Sequence, residues 1–123
     1  MIEIERRWLI DKEVAASQLP NAFFTNDILQ GYISFTPACR IRREIMPHGT
    51  CYTMTVKRPV NKGSNEEFEF EIFDERDAEQ LLLSLPAQVH KTRSYIEFVN
   101  DAEIELDVFK DDLEGLCIAE VEF

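Results

Sequence analysis

The chain reads as a mainly β protein with a minor helical part: an eight-stranded antiparallel β barrel carrying one or two short helices on its outside. Three observations support this. Seven short stretches alternate strictly between charged and apolar residues: 3–7, 40–42, 53–57, 67–71, 91–93, 103–107 and 120–122. Turn-forming residues separate most of them, and only two segments carry helical signals. Successive strand side chains point to opposite faces, so a period of two assigns each charged set to one face of a sheet. Eight sequential strands with few helices suggest an up-and-down barrel, whose interior is just wide enough for side chains or one small ligand.

Ile2 to Ile10 is the first strand, with Glu3, Glu5 and Arg7 on one face and Ile2, Ile4, Trp8 and Ile10 on the other. Asp11 caps a short helix over Lys12 to Leu19, which Pro20 ends. Ile28 to Phe35 is the second strand, with Gly31 a candidate bulge and Pro37 its end. Cys39 to Ile45 and Cys51 to Arg58 follow, joined by the turn-rich Met46-Pro47-His48-Gly49. Pro59 to Asn65 reads as a loop and Glu66 to Phe73 as the fifth strand. Asp74 caps a helix from Glu75 to Ser84, with Ala78, Leu81, Leu82 and Leu85 as its apolar face. Val89 to Val99, Glu103 to Phe109 and Leu116 to Phe123 complete the set.

A length of 123 residues suits one domain spanning 1–123. No apolar run approaches the roughly 20 residues that cross a bilayer, so no membrane partner is expected. The acidic start lacks the basic n-region of a signal peptide, which makes the cytoplasm the default compartment. A formal charge of −11 argues against a nucleic-acid partner held by overall charge, though not against a local basic pocket. Cys39, Cys51 and Cys117 match neither a disulfide framework nor a zinc pattern and read as reduced residues; by parity, Cys51 could border the polar face.

The charges are sorted by sign. Glu67-Phe68-Glu69-Phe70-Glu71, Glu103-Ile104-Glu105-Leu106-Asp107 and Glu120-Val121-Glu122 carry only carboxylates; Arg40-Ile41-Arg42, Thr53-Met54-Thr55-Val56-Lys57 and Lys91-Thr92-Arg93 carry only bases. Periodicity alone leaves open whether these faces meet solvent or the barrel interior. Rows of like charge repel, however, and a polyanion with a divalent metal would offset both signs, which favours the interior. Apolar outer faces would then need helices to cover them.

The opening Glu3-Ile4-Glu5-Arg6-Arg7-Trp8-Leu9-Ile10 resembles the N-terminal ExExK signature of the CYTH superfamily, the triphosphate tunnel metalloenzymes. Agreement continues in order through Gln30-Gly31-Tyr32, Arg40-Ile41-Arg42, Thr53 to Lys57, Glu67-Phe68-Glu69, Lys91-Thr92-Arg93, Glu105 to Phe109 and Glu120 to Phe123. The resemblance implies a closed β tunnel whose charged interior binds a triphosphate with Mg²⁺ or Mn²⁺. It is nearest to the short bacterial branch, which implies hydrolysis of inorganic tripolyphosphate. ATP cyclisation of the class IV type or thiamine triphosphate hydrolysis on the same site remain alternatives, as does a non-catalytic polyphosphate- or nucleotide-binding module.

Carried over residue by residue, the resemblance gives Glu3, Glu5, Glu120 and Glu122 to the metal. It gives Glu3, Glu5 and Lys91 to catalysis, and Arg7, Arg40, Arg42, Lys57, Lys91 and Arg93 to the phosphates. Glu67, Glu69 and Asp107 are supporting candidates. Arg43 and Arg58 have the opposite parity and are expected outside; His48 and His90 lack partners at ligand spacing. Two departures stand out. Arg7 replaces the motif lysine, and the chain stops at Phe123, before the C-terminal helical segment usual in the family. Bare apolar outer faces would favour a homodimer.

Overall fold

The computed structural model describes residues 2–100 and 102–122, with side chains for all of these except 2–4, 97–99 and 122. Eight strands, β1 (Ile2–Leu9), β2 (Phe24–Phe35), β3 (Ala38–Met46), β4 (Gly49–Asn61), β5 (Ser64–Glu71), β6 (Gln88–Val99), β7 (Ala102–Phe109) and β8 (Cys117–Glu122), close into an antiparallel barrel. Around the barrel the order is β1-β5-β4-β3-β2-β6-β7-β8. β1 closes it by pairing its first residues with β5 (Ile2↔Glu66 to Ile4↔Ser64) and the rest with β8 (Glu5↔Glu122 to Leu9↔Ile118).

The connectivity is therefore not a simple up-and-down meander. Helix α2 (Glu75–Ser84) carries the chain from β5 across the outer face of β2 and β3, so β6 begins beside β2. Two further expectations change. The stretch expected to be a loop from Pro59 is mostly strand: β4 runs to Asn61 and pairs with β5 up to Asn61↔Ser64, turning only at Lys62-Gly63. A register shift between Pro59 and Asn61 accommodates the proline, which has no N–H to give the ladder. The bulge in β2 lies between Tyr32 and Ser34 rather than at Gly31. Gly31 serves close approach instead, since a Cβ there would sit 2.8 Å from Leu85 Cδ1 and 3.1 Å from Leu82 Cδ1.

The apolar core lies outside the barrel wall. Ile41 and Leu82, both fully buried, mark the seam beneath α2. Helix α1 (Lys12–Gln18), whose N-cap Asp11 accepts from the Glu13 N–H, brings Ala15 against Leu106 and Cys117. Asp74 caps α2 in the same way through the Asp77 N–H. On the outer side of β1 and β5, Trp8, Phe68 and Phe70 are about half exposed. Among the described residues, no helix is long and apolar enough to cross a membrane.

Outside the wall, Arg43 forks onto Glu79 of α2, Arg58 pairs with Glu66, and His90 sits between Asp27 Oδ1 (2.8 Å) and Asp111 Oδ2 (3.0 Å). Burial works against the charged imidazole, but the two carboxylates outweigh it and raise its pKa. A raised histidine stabilises the fold fully below its unfolded pKa of about 6.5 and loses that contribution as pH climbs through the folded value. His90→Gln should thus cost up to ~1 kcal/mol at pH about 5.5 and less at pH about 8.5. Urea midpoints at both pH values check this; an equal cost at both would show that protonation plays no part.

Candidate active site

Inward-facing side chains of all eight strands line a single cavity of about 330 Å³. Of the residues expected from the sequence, Glu5, Arg7, Arg40, Arg42, Lys57, Glu67, Glu69, Lys91, Arg93, Asp107 and Glu120 all line it. Glu3 and Glu122 lie outside the described side chains; their backbones stand at Glu3↔Asn65 and Glu5↔Glu122 in the register. The cavity also takes in Glu105 from β7, the less favoured companion of Asp107 in the sequence pattern, together with Glu103, Gln30, Tyr32 and Tyr95, for which the sequence implied no site role. Their signal was present in strand parity: Gln30 and Tyr32 alternate with Gly31, and Tyr95 shares the face of Lys91 and Arg93. Cys51 borders the carboxylate face, with Sγ 3.6 Å from Glu71 Oε1.

The charges inside are unevenly compensated. Asp107, 1% exposed, is the hub of the β6–β7 wall. Its carboxylate accepts from Arg93 Nε (2.8 Å) and Nη2 (3.0 Å) and meets Lys91 Nζ at 2.7 Å. Burial pushes Asp107 up, yet these two cations hold it below the usual carboxylate range. Lys91, buried beside Arg93, is pushed down to about 8. Glu105 meets Arg93 Nη1 at 3.0 Å, Lys57 meets Glu67 at 3.6 Å, and Arg7 contacts both Glu5 (2.6 Å) and Glu120 (3.2 Å).

Arg40 and Arg42 differ from these. Neither has a carboxylate within ion-pair distance among the described residues, and Arg40 Nε is buried without an acceptor. Burial, with Arg40 and Arg93 nearby, lowers Arg42 to about 10. This side of the wall carries surplus positive charge, which is what an anion-binding surface requires.

The CYTH domain profile matches residues 1–123. The chain belongs to the CYTH domain family. An inorganic triphosphatase of Nitrosomonas europaea is 34% identical over 131 residues, covering 100% of this chain and 77% of that protein. Among solved structures, the PH1819 protein from Pyrococcus horikoshii OT3 superposes with a TM-score of 0.74 at 25% identity, covering 98% of this chain and 76% of that one. The inorganic triphosphatase NE1496 superposes with a TM-score of 0.59 at 30% identity, covering 98% of this chain and 73% of that one.

On the opposite side of this CYTH barrel the surplus is negative. Glu5 is raised to about 7, by burial first and then by the hydrogen bond and charge of Glu120. Burial also acts on Glu120, but the hydrogen bond from Glu5 and the charges of Arg93 and Arg7 hold it low, so the two carboxyls are driven in opposite directions. Glu105 is also raised to about 7, chiefly by burial, with Glu120 adding to it. Among the described residues no three metal-ligating side chains converge as a ready-made site. Glu5 and Glu120 nonetheless present paired oxygen donors that repel unless a proton or a cation lies between them. A hard divalent ion taking two carboxylates, with substrate oxygens and water as its other ligands, fits that donor set.

Proposed function

We propose that this CYTH domain hydrolyses the terminal anhydride of a triphosphate, with inorganic tripolyphosphate the preferred substrate. One observation carries the reading: Arg40 and Arg42, which have no ion-pair partner among the described residues, share a small cavity with the neighbouring carboxylates Glu5 and Glu120. A polyphosphate bearing a divalent cation would offset both surpluses at once. A cavity of about 330 Å³ is at the small end of ligand pockets, which suits a compact anion. The Nitrosomonas europaea relative is named an inorganic triphosphatase.

Arg40 and Arg42 would grip the phosphate chain by forked hydrogen bonds, with Arg7, Lys57, Lys91 and Arg93 adding charge along it. Glu5 and Glu120, with Glu3 and Glu122, would hold Mg²⁺ or Mn²⁺. When bound, the ion supplies Lewis acidity and lowers the pKa of water. Water attacks the terminal phosphorus, the bridging P–O bond breaks, and pyrophosphate and phosphate leave. Positioning and electrostatics dominate such a step, so no covalent nucleophile is required. Asp107 fixes Lys91 and Arg93 in place, and the lowered pKa of Lys91 lets it exchange a proton near neutral pH.

The test is phosphate release from tripolyphosphate, ATP and thiamine triphosphate, each with and without Mg²⁺ or Mn²⁺, alongside thermal unfolding. Expected are turnover that needs the ion, fastest on tripolyphosphate, and a rise in the unfolding midpoint on adding the ion alone. Tripolyphosphate binding without turnover would leave a non-catalytic binding module. Faster turnover of ATP or thiamine triphosphate would move the substrate to an organic triphosphate.

A further inference from the structure

The Gln30-Gly31-Tyr32 stretch supplies no charge to the cavity, yet Gln30 is only 3% exposed and lies against its most positive part. Its Oε1 accepts from both Arg42 Nε (3.0 Å) and Arg42 Nη2 (2.8 Å), and its Nε2 donates to the Tyr32 hydroxyl at 2.6 Å. A guanidinium can only donate, so the amide must turn its oxygen to Arg42 and its nitrogen to Tyr32. Arg93 and Lys91 are steadied by Asp107, Lys57 faces Glu67, and Arg7 faces Glu5 and Glu120. Arg42, by contrast, is oriented by a neutral group.

We infer that Gln30 is a positioning residue that aims Arg42 into the tunnel through a two-point hydrogen bond while leaving its full positive charge for the substrate anion. The inference rests on the triphosphate reading of the same cavity. A carboxylate at position 30 would offer the same two-point grip with a stronger attraction, but it would cancel the charge that the phosphate has to meet. A neutral acceptor orients without neutralising. Gly31 supports the device from behind: without a Cβ, it lets Leu82 of α2 and Leu85, the residue that caps its C-terminus, pack onto the outer face of β2, holding the strand that carries Gln30.

The decisive variant is Gln30→Glu. The Tyr32 hydroxyl can rotate to donate to the new carboxylate, so no hydrogen bond need be lost. Tripolyphosphate affinity, read by calorimetry, should weaken on the order of 10- to 100-fold, the range for losing one charged hydrogen-bonding partner. The thermal midpoint should hold or rise, and KM should suffer more than kcat. The neutral variant Gln30→Met separates positioning from added negative charge: it should weaken binding in the wild-type background and have little further effect in an Arg42→Gln background, because residues acting through one another are not additive. It also serves if the glutamate variant fails to fold. Wild-type affinity in Gln30→Glu, with weak binding in Arg42→Gln, would overturn the role of Gln30 and leave the triphosphate site standing. An undiminished loss from Gln30→Met in the Arg42→Gln background would equally overturn it. No tripolyphosphate binding by the wild-type protein would overturn both.

Discussion

Replacing Glu5 by Gln should abolish most activity while leaving the metal-free protein as stable as before, or more so. Glu5 stands beside Glu120 in the cavity, and its pKa of about 7 reports burial together with that neighbour's negative charge. A carboxylate raised above its unfolded value opposes folding once it ionises. The deficit is absent below about pH 4.5 and is complete above about pH 7. Gln removes that deficit. In EDTA-treated protein at pH about 8, Glu5→Gln should gain ~1–3 kcal/mol over wild type, with the gain fading towards pH about 5. The lost Arg7 contact offsets little of this, because Arg7 is 56% exposed. Activity should nevertheless fall on the order of 10²- to 10³-fold, the scale for removing one group that stabilises a developing charge. Full activity in this variant would take Glu5 out of the mechanism; a large loss of metal-free stability would make it a structural residue.

Replacing Asp107 by Asn should do the opposite to stability. Asp107 is 1% exposed and joins Lys91 and Arg93 of β6 to β7 through three short contacts. The asparagine amide points two N–H donors at groups that can only donate, so part of the fork becomes a clash and two buried cations lose their counter-charge. Breaking a buried pair from one side costs about 3–5 kcal/mol, which corresponds to a fall in Tm of roughly 10 °C or more for a domain of this size. Activity should fall as well, since Arg93 and Lys91 lose the group that orients them. Differential scanning calorimetry is the direct check. A Tm within about 2 °C of wild type would show that Glu105 alone can hold this wall together.

The site was legible in the sequence to the extent that strand parity reports a face. Arg40 and Arg42, or Glu67 and Glu69, line one cavity because side chains two apart on a strand share a side. The same parity put Gln30, Tyr32 and Tyr95 inside, but uncharged residues on an inner face look like any other strand residue, so Gln30 and Tyr32 entered only through the family resemblance and without a role, and Tyr95 carried no signal of its own. Gly31 showed the limit differently. A glycine in a strand signals that something special happens there, but not whether it is a bulge or a helix packing closely behind.

What the amino-acid order determined unaided was local: the strands, the two caps at Asp11 and Asp74, and the sorting of charge by sign. Those features depend on neighbours a few residues apart, where backbone geometry leaves few choices. Only the closed structure decided which strands adjoin, because α2 crosses over β2 and β3 and brings β6 beside β2. It also decided which charges are left over. Lys91 and Arg93 are matched by Asp107 across the β6–β7 ladder, Arg42 is met by the amide of Gln30, and Glu5 is pressed against Glu120 where the first and last strands join. Electrostatic surplus depends on distances between residues far apart in sequence, and folding alone sets those distances.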